Sequence, residues 1–299
     1  MMNATTSTFA VLLLIAGTAG AADSPPQAAP SQNAPEAPEA PVASAAPILS
    51  EDEAVASSPF NYVLGAAVSW RPEGAGSLSY ELKPSLLWAV RWGRWRFSAG
   101  GANAFLGFGR EVTGSGASTD LIRSKLWRVG LSLRLDSGRK SADSVTTAGL
   151  PDIQRTVRGR LFASYALSAD GQLSGSLSQD LLGRRGGLLA GLDLGWRLHR
   201  SGATEWTAGL GIGAADGQHM RSYFGVDASA AARRGLPVFT PSAGLRDARV
   251  NLGFTHTLSP RWVAFGSAGV SRLLGPAAQS PLTQTPSGRQ LGLGLAFRN

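Results

Sequence analysis

Large apolar residues alternate with small or polar residues along most of the chain after residue 60. In the segment 290–297, Leu291, Leu293 and Leu295 alternate with Gly292 and Gly294, and an aromatic residue ends the run. Successive residues of a β-strand point to opposite faces, so this strand has one apolar face and one face of small residues. Small residues suit the narrow interior of a barrel, and an apolar face suits lipid. The pattern predicts a strand of a transmembrane β-barrel.

The same two-residue period recurs in runs of about 10 to 14 residues, and a tilted strand needs roughly 9–11 residues to cross a bilayer. The alternative, a soluble β-sandwich, has strands of about five to six residues. Aromatic residues lie near the ends of the runs, where an interfacial girdle places them. They are Trp70, Trp88, Trp95, Trp127, Trp196, Trp206 and Trp262.

Connections between the runs are alternately tight and long. The longer ones are 137–154, 181–187, 215–243 and 275–287, and we expect them to face outward while the tight turns face the periplasm. Eleven strand-like segments can be counted, whereas a bacterial barrel of this type has an even number. Splitting 95–110 into a hairpin at Gly100-Gly101 gives twelve strands, and merging two weak segments gives ten. The predicted fold is an all-β, antiparallel up-and-down barrel of about twelve strands.

Composition divides the chain into three parts. An apolar core followed by small residues in 1–22 predicts a signal peptide, although this segment has no Lys or Arg. Residues 23–59 are rich in Ala and Pro and contain six acidic and no basic residues, which predicts a disordered periplasmic tail. The predicted barrel, 60–299, therefore has all 28 basic residues against 14 acidic ones, a net charge of +14. The chain has no cysteine, which excludes thiol catalysis and thiolate metal sites.

Short motifs in the C-terminal half resemble those of the MipA/OmpV family, the murein-lytic-transglycosylase-interacting outer-membrane proteins. The resemblance covers roughly 60–299, and the acidic tail is not part of it. The motifs are Tyr223-Phe224-Gly225-Val226, Ser229-Ala230, Arg233-Arg234-Gly235-Leu236-Pro237, Ala243-Gly244-Leu245, Trp262, Ser271-Arg272-Leu273-Leu274-Gly275 and Ser280-Pro281.

The resemblance implies an outer-membrane protein of Gram-negative bacteria that scaffolds a murein lytic transglycosylase and a murein synthase. It also implies a family-motif loop made of Tyr223, Phe224, Gly225, Arg233, Gly235, Leu236 and Pro237. Gln290, Gly292, Leu295 and Phe297 resemble the signal read by the barrel-insertion machinery, displaced by two residues because Arg298 and Asn299 follow the aromatic residue.

Candidate chemistry is sparse. Ser201 and Ser222 lie near His199 and His219 in sequence, and Asp216 is placed to orient His219, but serine is so common here that such proximity is expected by chance. Three histidines in three separate regions make a poor metal site. We therefore predict no catalytic residues, no metal site and no cofactor.

Two roles remain open for the loop 215–243, because a connection of this length is usually functional. It either enters the lumen as a plug or partner surface, or it caps the barrel mouth.

The predicted function is a non-enzymatic scaffold for periplasmic murein-synthesis enzymes, and the alternative is a narrow channel for small solutes. Charged residues on the inner faces of the strands are expected to pair within the lumen. Expected partners also include outer-membrane lipid and lipopolysaccharide, whose phosphates attract a basic barrel. Nucleic acid is not expected as a partner, because the chain lacks any recognition module.

Overall fold

The computed structural model describes residues 60–99, 115–141 and 147–299. Twelve antiparallel strands close into one barrel, each paired with its sequence neighbours and the last with the first. The strands are β1 (Phe60–Pro72), β2 (Tyr80–Trp92), β3 (Trp95–Ala99), β4 (Gly116–Arg123), β5 (Trp127–Asp136), β6 (Thr156–Ala166), β7 (Gly171–Asp180), β8 (Leu188–Ser201), β9 (Thr204–Ala215), β10 (Gly244–Thr257), β11 (Trp262–Leu273) and β12 (Ser287–Arg298). The predicted all-β barrel of twelve strands is confirmed.

The twelfth strand is not where the sequence placed it. The hairpin partner of β3 is β4 (Gly116–Arg123), and the two are paired from Trp95↔Thr119 to Ser98↔Gly116. The proposed turn at Gly100-Gly101 lies outside the described residues, as do the predicted signal peptide 1–22 and the predicted tail 23–59. A β-bulge between Asp120 and Ile122 interrupts the alternation of β4, which explains why its period is weak in the sequence.

Connections are alternately short and long, as predicted. One end of the barrel, the short-turn end, carries five tight turns together with Phe60 and Asn299, the first and last residues described. The other end, the long-loop end, carries the longer connections, whose described residues include three short helices: α1 (Gly217–Phe224), α2 (Ala228–Arg234) and α3 (Gly275–Ala278). Among the described residues, no helix has the length and apolar character needed to span a membrane.

The outer surface of the barrel is apolar. All eight tryptophans are exposed on it, together with many leucines such as Leu82 and Leu86, which are 69% and 81% exposed. A soluble protein does not leave so much contiguous apolar surface in water. This closed barrel is therefore a transmembrane barrel of the outer-membrane type, with its apolar band facing lipid.

The inner wall along the seam between β1 and β12 is lined by small and apolar residues. A Cβ atom added to Gly294 would lie 2.2 Å from Cζ of Phe265, so only glycine fits there. Val63, Leu87, Ala89, Val263 and Ala296, from β1, β2, β11 and β12, form a buried cluster inside the barrel. The small-residue face of the last strand therefore packs against a filled interior, as the sequence pattern predicted.

The four residues of the predicted insertion signal all lie in β12. Gln290 and Gly292 belong to the inward set, where the Gln290 amide donates to Asn251 Oδ1 at 3.3 Å. Leu295 and Phe297 belong to the outward set, and the Phe297 ring lies 5.4 Å from that of Trp262. Their recognition by the insertion machinery stays a prediction.

Residues Arg298 and Asn299 extend the seam beyond the last aromatic residue. Arg298 is paired with Val63 of β1, and Tyr62 N–H donates to Asn299 Oδ1 at 2.7 Å. The backbone N–H of Asn299 donates in return to the carbonyl of Tyr62 at 3.3 Å. The pairing of the first and last strands therefore includes the final residue.

Candidate functional site

The connection 216–243 forms two short helices that lie across the long-loop end. Asp216 caps α1 by accepting from His219 N–H at 2.8 Å, and Asp227 caps α2 by accepting from Ala230 N–H at 2.7 Å. Carboxylates at these positions satisfy backbone N–H groups that a helix leaves unpaired. Gly235 ends α2 in the left-handed region with φ of 63°, where glycine is favoured over residues with a side chain. The family-motif glycine therefore terminates a helix.

Two buried apolar clusters join this connection to the other long loops. Around α1, Met220 and Phe224 pack with Leu273 and Ala277, and Tyr223 lies against the same cluster. Around α2, Ala230 and Ala231 pack with one other buried residue of the same connection and with buried residues of two other loops. The contributing residues are Leu150, Val226 and Leu282, with Leu236 and Phe239 at the edge. We call α1, α2, α3 and the loop segments packed on them the cap.

Arginine side chains fasten the cap to the barrel through backbone carbonyls. Arg158 of β6 donates to the carbonyls of Gly186 and Gly187 at 2.7 and 3.0 Å. Its Nε also lies 2.6 Å from Asp136 Oδ2. Arg139 donates to the carbonyl of Tyr223 at 3.0 Å, and burial lowers its pKa from the usual value. Such charge-assisted bonds are roughly twice as strong as neutral ones.

His219 and Tyr223 form the inward side of α1. Their rings stack with centroids 4.3 Å apart, and His219 Nδ1 lies 2.9 Å from the carbonyl of Gly186. Burial, together with the positive charge of Arg246, lowers the pKa of His219 to about 3. Burial and the nearby Asp136 carboxylate raise the pKa of Tyr223 to about 12. Both groups are therefore uncharged at neutral pH, as their enclosure in the cap requires.

The connection 216–243 has features of both predicted roles. It packs against other loops at the long-loop end, as the cap role requires, and α1 also contacts β8 and β9. Of the seven predicted motif residues, Tyr223, Phe224 and Leu236 contribute to the apolar clusters, and Gly225 and Gly235 end the two helices. Arg233 donates to the carbonyl of Gly149 at 3.0 Å. Pro237 follows Leu236 in the irregular segment that leads to the Val226↔Phe239 bridge.

Ion pairs line the barrel below the cap, as predicted for the lumen. Arg249 bridges two carboxylates, Asp193 at 2.5 Å and Asp247 at 3.0 Å, and Arg246 lies 2.5 Å from Asp247. These pairs satisfy charges that would be costly to bury alone. The alternation along β8 places Asp193 on the inner face, whereas Asp247 lies next to a register shift in β10 and does not follow from the alternation of that strand.

Two further groups of charges lie toward the short-turn end. Arg197 Nε lies 3.2 Å from Glu205 Oε2, a pair that the alternation of β8 and β9 predicts. Asp120 is bound by Arg96 and lies 3.0 Å from Arg128 Nε. The sequence did not identify Asp120, because it lies next to the β4 bulge.

The serine–histidine pairs of the sequence do not form a triad. Asp216 accepts from the backbone N–H of His219, and His219 Nδ1 lies 2.9 Å from the carbonyl of Gly186, so the Asp216 carboxylate does not orient the imidazole as a triad requires. A histidine with a pKa of about 3 is also a weak general base at neutral pH. His199 is exposed, and His256 Nδ1 lies 2.7 Å from Thr204 Oγ1. Within the described ranges, no cluster of His, Asp and Glu is arranged to hold a metal ion.

Replacing Arg158 with Gln is expected to loosen the cap. The change removes the bonds to Gly186 and Gly187 and leaves Asp136 without this partner, at a cost of about 3–5 kcal/mol. Trypsin should then cut after Arg184 and Arg185 much faster in the folded variant than in the wild type, as measured by peptide mass spectrometry. Arg155→Gln, at an exposed neighbouring position, is the control. Equal rates in wild type and Arg158→Gln would contradict this role.

Acidification is expected to open the cap through His219. Its folded pKa of about 3 lies below the usual 6.5, so its contribution is complete above pH 6.5 and falls as the pH drops toward 3. At pH 4.5 the loss should be roughly 2–3 kcal/mol. Hydrogen exchange of α1 amides, corrected for intrinsic rates, measures this opening. His219→Gln should remove most of the pH dependence, whereas His199→Gln should retain it. The prediction fails if both variants behave alike.

Comparison with known proteins gives one family and several barrels. The family model described as "MltA-interacting protein MipA" matches residues 64–299. Comparison with curated proteins finds no match. Among solved structures, the chain is similar to the KdgM porin at 10% identity, covering 79% of this chain and 98% of that one, with a TM-score of 0.40. The NanC porin matches at 10% identity, covering 78% and 98%, with a TM-score of 0.42.

Outer-membrane OmpT of Vibrio cholerae is similar at 10% identity over 80% of this chain and 97% of that chain, with a TM-score of 0.35. The family model covers nearly the whole barrel, from β1 to the last residue of the chain. This chain belongs to the MipA family.

Proposed function

We propose that this protein is a non-enzymatic scaffold of the outer membrane that binds a periplasmic murein enzyme. The family is described by its interaction with MltA, and the resemblance of the sequence implies a lytic transglycosylase and a murein synthase as partners. Binding of this kind needs an exposed surface at the periplasmic end and no passage through the barrel.

The observation that carries this proposal is the packing and pairing of inward side chains within the barrel. The cap packs across the long-loop end, and the cluster around Val63 and Leu87 fills part of the interior on the seam strands. The charged groups between them are engaged with one another, as in the Asp193–Arg249–Asp247 bridge. A barrel filled in this way supports a function on its outer surfaces.

The orientation that we propose places the short turns in the periplasm, as is usual for outer-membrane barrels. Phe60 and Asn299 lie at that end. Residues 23–59, with six acidic residues and many prolines, then extend from Phe60 as a periplasmic tail that is able to reach a partner.

Site-specific photo-crosslinking in the native envelope tests both the partner and the orientation. A photoreactive residue at Ala169 or Arg200, both exposed in short turns, should capture a murein lytic transglycosylase or a murein synthase. The same residue at Ala148 or Ser242, both exposed at the long-loop end, is the control and should capture neither. Absence of murein enzymes from the short-turn products, or equal capture at both ends, would refute the scaffold proposal.

A narrow channel for small solutes is the second candidate, because charged side chains lie on the inner wall from Lys83 on β2 to Arg249 on β10. Planar-bilayer recordings of the inserted full chain distinguish the two functions. The scaffold predicts a silent bilayer, and Arg158→Gln should conduct only if loosening the cap opens a path. Steady single-channel conductance of the wild-type protein would favour the channel.

A further inference from the structure

One sector of the short-turn end carries most of its positive charge. The segments 91–96 and 119–128, which belong to the neighbouring β2–β3 and β4–β5 hairpins, contain six cationic residues and one carboxylate. The carboxylate, Asp120, is already engaged by Arg96, Arg123 and Arg128. The other short turns differ, because β8–β9 and β10–β11 carry single exposed cations near their tips, Arg200 and Arg261, and β6–β7 carries Asp170.

Exposed aromatic and aliphatic side chains flank the exposed cations Arg94 and Lys125, whereas Arg96 and Arg128 face the interior with Asp120. Trp92 and Trp95 are directly opposed in the β2–β3 pairing, and Trp127 begins β5. All three are exposed on the outer surface, as is Ile122 beside the β4 bulge. Tryptophans of this kind mark the boundary between acyl chains and headgroups in outer-membrane barrels. The exposed cations Arg94 and Lys125, which lie beside these tryptophans in the two turns, are therefore at the level of lipid phosphates.

Arg94 is held on the lipid-facing side of the wall. Thr119 lies directly opposite Trp95 and next to Leu131 in the strand pairings, so it shares their outward face. Arg94 Nε donates to Thr119 Oγ1 at 3.3 Å, which directs an exposed guanidinium back over this face. Thr119 itself is 8% exposed. A guanidinium among interfacial tryptophans is well suited to a phosphate, to which it can donate two parallel hydrogen bonds.

We propose that this sector, defined by Arg94, Thr119, Lys125 and the exposed Trp92, Trp95 and Trp127, binds the headgroup of an anionic phospholipid in the leaflet at the short-turn end. Arg94 contacts the phosphate, Lys125 adds a second positive charge, and the tryptophans pack on the glycerol and upper acyl chains. A free phosphate ion would use the cations and leave the exposed tryptophans without a role. The proposal does not depend on the scaffold function, because its ligand is the bilayer itself.

Native mass spectrometry of the full chain in detergent micelles tests this site. Micelles contain equal amounts of phosphatidylglycerol and phosphatidylcholine with identical acyl chains, and the measured quantity is the ratio of the two retained lipids. Wild type should retain phosphatidylglycerol preferentially. Arg94→Gln with Lys125→Gln should reduce the preference by about fivefold for each charge removed. Arg200→Gln with Arg261→Gln removes the same charge from other short turns and should leave it unchanged.

A third variant separates positioning from charge. Thr119→Val keeps the shape and total charge but removes the acceptor of Arg94 Nε, so it should weaken the preference while Lys125 remains. Gel mobility without heating verifies that each variant is a folded barrel. The proposal is overturned if the wild type shows no preference for phosphatidylglycerol, or if the Arg200/Arg261 control loses as much as the Arg94/Lys125 variant. If the preference for phosphatidylglycerol appeared only after Glu51, Asp52 and Glu53 were neutralised, the acidic tail would be the ligand of this sector. That result would also overturn the proposal.

Discussion

A strand within a bilayer has no water to hydrogen-bond its backbone, so every N–H and C=O group must find a partner in the protein. In this chain the condition is met where the first and last strands pair, from Val63↔Arg298 to Trp70↔Leu291. This pairing also determines which residues can line the inner wall at the seam. A Cβ added to Gly65 would lie 2.6 Å from both Leu87 Cδ1 and the carbonyl oxygen of Leu295, so this inward position admits only glycine. The outward face is free to be large and apolar, because lipid imposes no shape.

The backbone groups at the long-loop end also need hydrogen-bond partners, but they find them in a different way. Loop backbone that leaves a sheet still needs partners, and here buried arginines supply many of them. Arg158 donates to the carbonyls of Gly186 and Gly187, and Arg139 donates to those of Tyr223 and Pro151. A guanidinium presents several donors in a fixed plane, so one side chain satisfies carbonyls of two or more segments. The excess of basic residues in the barrel therefore has a structural use beyond pairing with carboxylates.

Alternation alone predicted the barrel, the apolar outer face and the bounds of most long loops, because a period of two is imposed by strand geometry. It failed at β4, where a bulge displaces the pattern and the strand has only eight residues. It also failed to predict the helices α1 and α2. Asp216 and Asp227 were available as capping signals, but helices of eight and seven residues show little periodicity. Contacts such as Arg158 with Gly186 join residues 28 positions apart and have no local signature.

Most of the polar contacts that hold the cap are made to main-chain carbonyls, including those of Gly149, Pro151, Gly186, Gly187 and Tyr223. A carbonyl is present whatever side chain its residue carries. Outward positions of the same loops, such as Leu182 and Ser242, are thus under little structural constraint. Exposed loop sequences can therefore diverge between family members while the cap keeps its architecture.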